Sequence, residues 1–154
     1  KPKLENIIKI WIDQSQSFIK KIESSKTFFY WSSIYETKAH GVSNNQPNYL
    51  NTLLLVKSNS FPSPSLKNAK LLLKELKCLE SDFGRAETPK NKKWLSRCLD
   101  LDILWWEDLY LIDEELILPH PRFMNRNFVI SPLSEVLSKL QKIKKLEESR
   151  WLID

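Results

Sequence analysis

Cysteine is scarce in this sequence. The two present, Cys78 and Cys98, stand in neither a Cys-x-x-Cys nor a Cys/His metal spacing, which argues against a disulfide scaffold and a thiolate zinc site. Both are expected to be reduced and partly buried. Long apolar runs are also missing, so no stretch reads as a transmembrane segment. The opening Lys1-Pro2-Lys3-Leu4 has no apolar run and small-residue cleavage site behind it, and the expected location is the cytoplasm. No internal repeat is present. Glycine, at two residues, is confined to Gly41 in a loop and Gly84 at the end of a helical pattern. What is there, 42% apolar and 28% charged residues, is the balance of a globular domain, and the length suits one domain over 1–154. A net charge of +5 suits a polyanionic partner, whether nucleotide, nucleic acid or acidic surface. Part of that excess is Lys139, Lys142, Lys144 and Lys145, read as a solvated helix face.

Leu4, Ile7, Ile8, Trp11, Ile12, Phe18, Ile19 and Ile22 recur at spacings of three and four and predict a first helix. Residues 28–36 and 49–57 are rich in aromatic, β-branched and leucine residues and read as strands, joined by a long loop over 37–48. A loop of that length in a small domain is more often functional than idle. Ser65 then offers an N-cap for a helix with an apolar face of Leu66, Ala69, Leu72, Leu73, Leu76 and Leu79, stopped by Gly84. A polar, basic loop over 85–93 leads to an apolar strand over 99–106, and Glu107-Asp108 makes a turn. Short strands over 109–112 and 116–118, a Pro-His-Pro turn at 119–121 and a closing helix over 132–148 complete the order. Helix, strand, strand, helix, strand is a split βαβ pattern lacking its first strand.

The chemistry concentrates in Arg97-Cys98-Leu99-Asp100-Leu101-Asp102-Ile103-Leu104. Side chains alternate across a strand, which puts Asp100 and Asp102 on one face, about 6 to 7 Å apart along the backbone. Two like charges there repel one another, and a cation would balance them. Hard oxygen ligands at that spacing suit Mg²⁺, which keeps waters and adds substrate phosphate oxygens; the plain alternative is a wet or salt-bridged sheet face. Arg85, Lys90, Lys92, Lys93 and Arg97 precede the pair and His120, Arg122 and Arg126 follow it. Each alone is a solvated charge, but converging they could close over a triphosphate. Tyr49, Asn51, Trp94 and Phe128 offer flat faces and an amide for a fused heterocycle, or serve as core.

With Asp100-Leu101-Asp102, Arg97, Pro119-His120-Pro121 and Asn125-Arg126-Asn127-Phe128 in view, the sequence resembles the 6-hydroxymethyl-7,8-dihydropterin pyrophosphokinases. The resemblance runs from the first helix to Ser131-Pro132-Leu133 and takes in Ile34-Tyr35-Glu36-Thr37, Gln46-Pro47-Asn48-Tyr49-Leu50-Asn51 and Glu80 ahead of Gly84-Arg85. It implies a ferredoxin-like α+β sandwich, an antiparallel sheet with helices, and transfer of pyrophosphate from ATP to the pterin alcohol. Asp100 and Asp102 would hold two Mg²⁺ ions. Glu80, Arg85, Arg97, Ile103, His120 and Arg126 would hold ATP, with Arg85 and Arg97 also counted as catalytic. Thr37, Lys38, His40, Tyr49, Asn51, Trp94 and Phe128 would hold the pterin. The expected partners are these small molecules, with no nucleic acid and no membrane, and the expected state is a monomer.

The chain departs from the family pattern in places. A first strand ending in Gly-Ser-Asn has no counterpart here, which leads to the expectation of a sequence shortened at its N-terminus. Leu95-Ser96 stands for the usual Gly-Pro, Glu87 for a loop arginine, and Lys38-Ala39-His40 for a Pro-rich loop; Lys90, Lys92 and Lys93 offer replacement charge. Two other readings are a ferredoxin-like nucleic-acid-binding module, favoured by the basic pI, and a homologue that has lost activity. The first would need no metal, and the paired aspartates would repel its phosphates.

Overall fold

The computed structural model describes residues 27–38, 48–59, 61–83 and 99–150. The predicted helix over 4–22, the loops over 39–47 and 85–93, Gly84 and Cys98 lie outside the described residues. Among the described residues the chain forms two compact units, one from 61–83 with 99–121 and the other from 27–38 and 48–59 with 122–150. Together they make a small α+β protein of antiparallel strand pairs and two helices.

In the first unit, Ser65 caps α1, Leu66–Asp82, as expected. Its hydroxyl accepts from the Asn68 N–H at 3.2 Å and its carbonyl from the Ala69 N–H at 2.9 Å, satisfying donors that the helix start leaves open. Ser65→Ala is expected to lower stability by about 1 kcal/mol, read as a lower urea midpoint with unchanged slope. The predicted apolar stripe turns Ala69 and Leu79 fully inward. Leu72 and Leu73 pack on a core of Ala69, Trp106, Leu116 and Leu118, whereas Leu66 at the first position is exposed. Cys78 is exposed, not partly buried as expected, because it falls between Lys77 and Leu79 on the side of α1 away from that core.

Strands β5, Leu111–Ile112, and β6, Ile117–Leu118, form a short hairpin with Leu111 opposite Leu118 and Ile112 opposite Ile117. Asp113 closes its turn: the carboxylate accepts from the Glu115 N–H at 3.1 Å and its own N–H reaches the Leu116 carbonyl. Lys70 of α1 meets the same carboxylate at 2.9 Å. The Glu115 N–H and then Lys70 hold the Asp113 carboxyl below its ordinary range, and Asp113 in turn raises the Lys70 ammonium.

The apolar strand expected over 99–106 is not formed; these residues join no ladder among the described residues. A strand needs a neighbour whose amides and carbonyls match its own, and here the backbone is bonded piecemeal instead. The Leu101 N–H donates to the Glu80 carboxylate at 2.7 Å, the Leu104 carbonyl accepts from the His120 N–H at 2.7 Å, and the Trp106 carbonyl accepts from the Leu109 N–H across the predicted turn. Glu107 takes that turn at φ 48°, the left-handed region that a side chain disfavours.

In the second unit the two predicted strands each break in two. Strand β1, Thr27–Trp31, pairs antiparallel with β4, Leu54–Ser58, and β2, Tyr35–Thr37, pairs with β3, Tyr49–Asn51. Trp31 lies opposite Leu54 but Tyr35 opposite Asn51. Three residues, 32–34, therefore face two, 52 and 53. The extra residue is a β-bulge, and buried Ser32 sits in it. Its N–H donates to the Leu53 carbonyl and its hydroxyl accepts from the Leu53 N–H, both at 2.9 Å, so a side chain replaces the ladder bond that the bulge interrupts.

The closing helix α2 spans Asn127–Arg150, starting upstream of the expected Pro132. The Arg126 carbonyl accepts from the Val129 and Ile130 N–H groups at 2.8 and 3.0 Å and so begins the helix. Pro132 lies inside it, with its side chain fully buried like that of Val136. Burying the ring offsets the backbone bond that proline cannot donate.

Glu135 fixes α2 to the bulge. Its carboxylate accepts from the Ser33 N–H at 2.9 Å, the Ser33 hydroxyl at 3.0 Å and the Tyr35 hydroxyl at 3.0 Å, and meets Lys139 at 2.7 Å. Lys139 also donates to the Trp31 carbonyl at 2.9 Å, so this lysine of the basic run is not simply solvated. Lys142, Lys144 and Lys145 are exposed, in keeping with the solvated face read for them. Lys139 first, then the Ser33 N–H, lower the Glu135 carboxyl from 4.5 to about 2. A group held low in the folded protein contributes stability that is present above its unfolded value and lost as pH falls towards the folded one. Urea unfolding of the wild type and Glu135→Gln is therefore expected to differ at pH 6, and the gap to close between about pH 4.5 and 2.

Candidate active site

The first unit carries Glu80, Asp100, Asp102, Ile103 and His120. Exposure alternates along 99–103, with Leu99, Leu101 and Ile103 half-buried and Asp100 and Asp102 exposed. The spacing of two thus turns both carboxylates to solvent even though no ladder among the described residues enforces the pleat. Ile103 packs against the Ala69, Trp106, Leu116 and Leu118 core, which anchors the end of the aspartate segment. His120 is joined to the same segment through the bond from its N–H to Leu104. Glu80, near the end of α1, is buried at 3% exposure and grips the Leu101 N–H, midway between the two aspartates. The structure thus gathers five of the residues assigned to metal or nucleotide in or around one short segment.

The donor set suits magnesium. Two exposed carboxylates one residue apart give hard oxygen ligands, and among the described residues no group of three or more His, Cys, Asp or Glu forms a fuller cage. Magnesium favours such a sparse set, because it retains waters and completes its shell with phosphate oxygens.

The second unit carries Thr37, Lys38, Tyr49, Asn51, Arg126 and Phe128. Thr37 faces Tyr49 across the β2–β3 pair, and the Asn51 amide donates to the Thr37 hydroxyl at 2.8 Å. This places a ring, an amide and a hydroxyl on adjoining strands. Tyr49 is 45% exposed, so its ring is not core. Lys38 is exposed just past β2. At the start of α2 the Arg126 guanidinium lies 5.5 Å over the centre of the Phe128 ring, a cation–π contact. Arg85, Arg97, Trp94 and His40 lie outside the described residues.

Glu135, with Ser33 and Tyr35, escaped the sequence reading. Glu135 and Lys139 were legible as an i, i+4 pair on a helix, but nothing local announces that the bulge amide would turn towards them.

Small α+β proteins that expose a carboxylate pair include enzymes of metal-assisted phosphoryl transfer. Residues 8–138 match the family described as 7,8-dihydro-6-hydroxymethylpterin-pyrophosphokinase (HPPK), and the chain belongs to that family. It is 36% identical over 118 residues to the 2-amino-4-hydroxy-6-hydroxymethyldihydropteridine pyrophosphokinase of Aquifex aeolicus, covering 77% of this chain and 67% of that one. The Haemophilus influenzae protein of the same name is 34% identical over 131 residues, 84% of this chain and 75% of that one. The folic acid synthesis protein fol1 of Pneumocystis carinii is 33% identical over 138 residues, 89% of this chain but 17% of that protein.

Proposed function

We infer that the chain transfers pyrophosphate from ATP to 6-hydroxymethyl-7,8-dihydropterin, releasing AMP and the pterin diphosphate in folate synthesis. It is a diphosphotransferase with small-molecule substrates, ATP among them. The observation that carries the site assignment is the exposed Asp100 and Asp102 pair, held at Leu101 by Glu80 and joined to His120.

In the reaction the hydroxymethyl oxygen of the pterin bonds to the β-phosphorus of ATP. The bond from that phosphorus to the oxygen bridging to the α-phosphorus breaks, and AMP leaves with the electron pair. The hydroxyl proton is lost, and Asp102 is our candidate to receive it. Two magnesium ions at Asp100 and Asp102 would neutralise phosphate charge and polarise the hydroxyl. The protein's own part is alignment and charge. His120, Arg126, Arg85 and Arg97 would bind phosphate oxygens, with Ile103 on the nucleotide side. Tyr49, Trp94 and Phe128 would offer ring faces to the pterin, with Asn51 and Thr37 reading its edge and Lys38 and His40 beside them.

The wider reading is a ferredoxin-like sandwich acting as a monomer in the cytoplasm. The antiparallel strand pairs with packed helices support the first. Among the described residues no helix is long and apolar enough to cross a membrane. The test is AMP release from ATP and magnesium, with and without the pterin alcohol. Pterin-dependent AMP in equal amount to pterin diphosphate is the expected result; ATP turnover that ignores the pterin, or none, overturns the reading.

A further inference from the structure

Glu80 has a feature that a nucleotide ligand does not need. It is 3% exposed, while Asp100 and Asp102 on either side of its partner are exposed. Its Oε1 accepts from the Leu101 N–H at 2.7 Å, a short bond made in a setting of low dielectric. Leu101 is the single residue between the two aspartates, and the segment has no strand ladder among the described residues to fix its backbone. Among the described residues the nearest backbone–backbone bond along this segment is at Leu104. A ladder would hold the two carboxylates at a set spacing through several bonds; here a buried side chain acts on the peptide between them.

We propose that Glu80 is a positioning residue for the metal site: it sets the spacing and direction of the Asp100 and Asp102 carboxylates through the Leu101 amide, and it does not bind the nucleotide itself. The proposal rests on the reading of the two aspartates as metal ligands. Groups that orient metal ligands without touching the metal cost about 10- to 100-fold in affinity when removed, and the burial of Glu80 puts it in that role. Its helix supplies the rigidity, since Glu80 follows Leu79, itself buried, near the end of α1.

The test uses Mn²⁺ as a paramagnetic stand-in for magnesium, its binding measured by electron spin resonance without substrate, and AMP as a nucleotide probe measured by calorimetry without metal. Glu80→Ala is expected to weaken Mn²⁺ about 10-fold or more and to leave AMP affinity within about twofold, because in this reading Glu80 neither touches the nucleotide nor positions a group that does. Glu80→Gln keeps an acceptor for the Leu101 N–H and is expected to recover most of the Mn²⁺ affinity. Should the alanine variant not fold, Glu80→Asp takes its place: it keeps the charge and withdraws the acceptor by one methylene. Loss of AMP affinity with Mn²⁺ binding intact, or no change in either, overturns the proposal. Mn²⁺ binding that survives in Asp100→Ala with Asp102→Ala overturns the metal reading itself, and with it this one, whereas binding that needs the aspartates but ignores Glu80 overturns this one alone.

Discussion

Replacing both Asp100 and Asp102 with alanine is expected to lower pterin-dependent AMP formation by about 1,000-fold or more, the equivalent of roughly 4 kcal/mol of transition-state stabilisation. Both side chains are exposed, and neither lies in the Ala69, Trp106, Leu116 and Leu118 core. Surface changes of this kind usually move stability by no more than about 0.5 kcal/mol, and removing two like charges relieves a repulsion. The unfolding midpoint should therefore stay near the wild-type value while the rate collapses. Each single variant is expected to lose nearly as much as the pair, because groups that hold one metal cluster act as a unit. Raising magnesium should restore part of the rate in either single variant but not in the double. A double variant within about tenfold of the wild type would remove the aspartates from the chemistry.

The sequence was informative where local chemistry decides the outcome. Ser65 and the stripe from Ala69 to Leu79 announced α1 through a cap and a period, and both formed as read. The alternation Asp100-Leu101-Asp102-Ile103 announced which side chains turn outward, and exposure follows it. The outcome differed where a distant partner decides. Residues 99–106 carry the composition of a strand, but a strand exists only beside a neighbour, and none of the described residues pairs with them. Ser32 and Ser33 look like ordinary strand residues. The bulge they occupy depends on the register of both β1–β4 and β2–β3, and on Glu135, about one hundred positions away, accepting the Ser33 amide. The closing helix was expected from Pro132, yet the Arg126 carbonyl starts it earlier and the buried ring is tolerated inside. The basic pI was compatible with nucleic acid as well as nucleotide; the paired aspartates spoke against the first, and the family match supports small-molecule substrates.

The core of the first unit gives the other large effect. Trp106 is 7% exposed and lies in one buried cluster with Ala69 of α1 and Leu116 and Leu118 of the short hairpin. Its ring also meets Phe61 edge-on, with centroids 5.1 Å apart at 76°, the arrangement that aromatic quadrupoles favour. It follows the aspartate segment directly, and Ile103 packs on the same cluster. Trp106→Ala is expected to cost about 3 to 5 kcal/mol, the sum of lost burial and the cavity left behind. For a chain of this length that corresponds to a fall in melting temperature of roughly 10 °C. Trp106→Phe keeps a ring and is expected to recover more than half of the loss. The two variants should separate in function as well. At a temperature where both are folded, the alanine variant loosens the packing under Ile103 and is expected to need more magnesium for half its maximal rate, while the phenylalanine variant follows the wild type. Calorimetric melting with a magnesium titration of AMP formation reads both effects. An alanine variant that melts within about 2 °C of the wild type would show that this cluster does not hold the unit together.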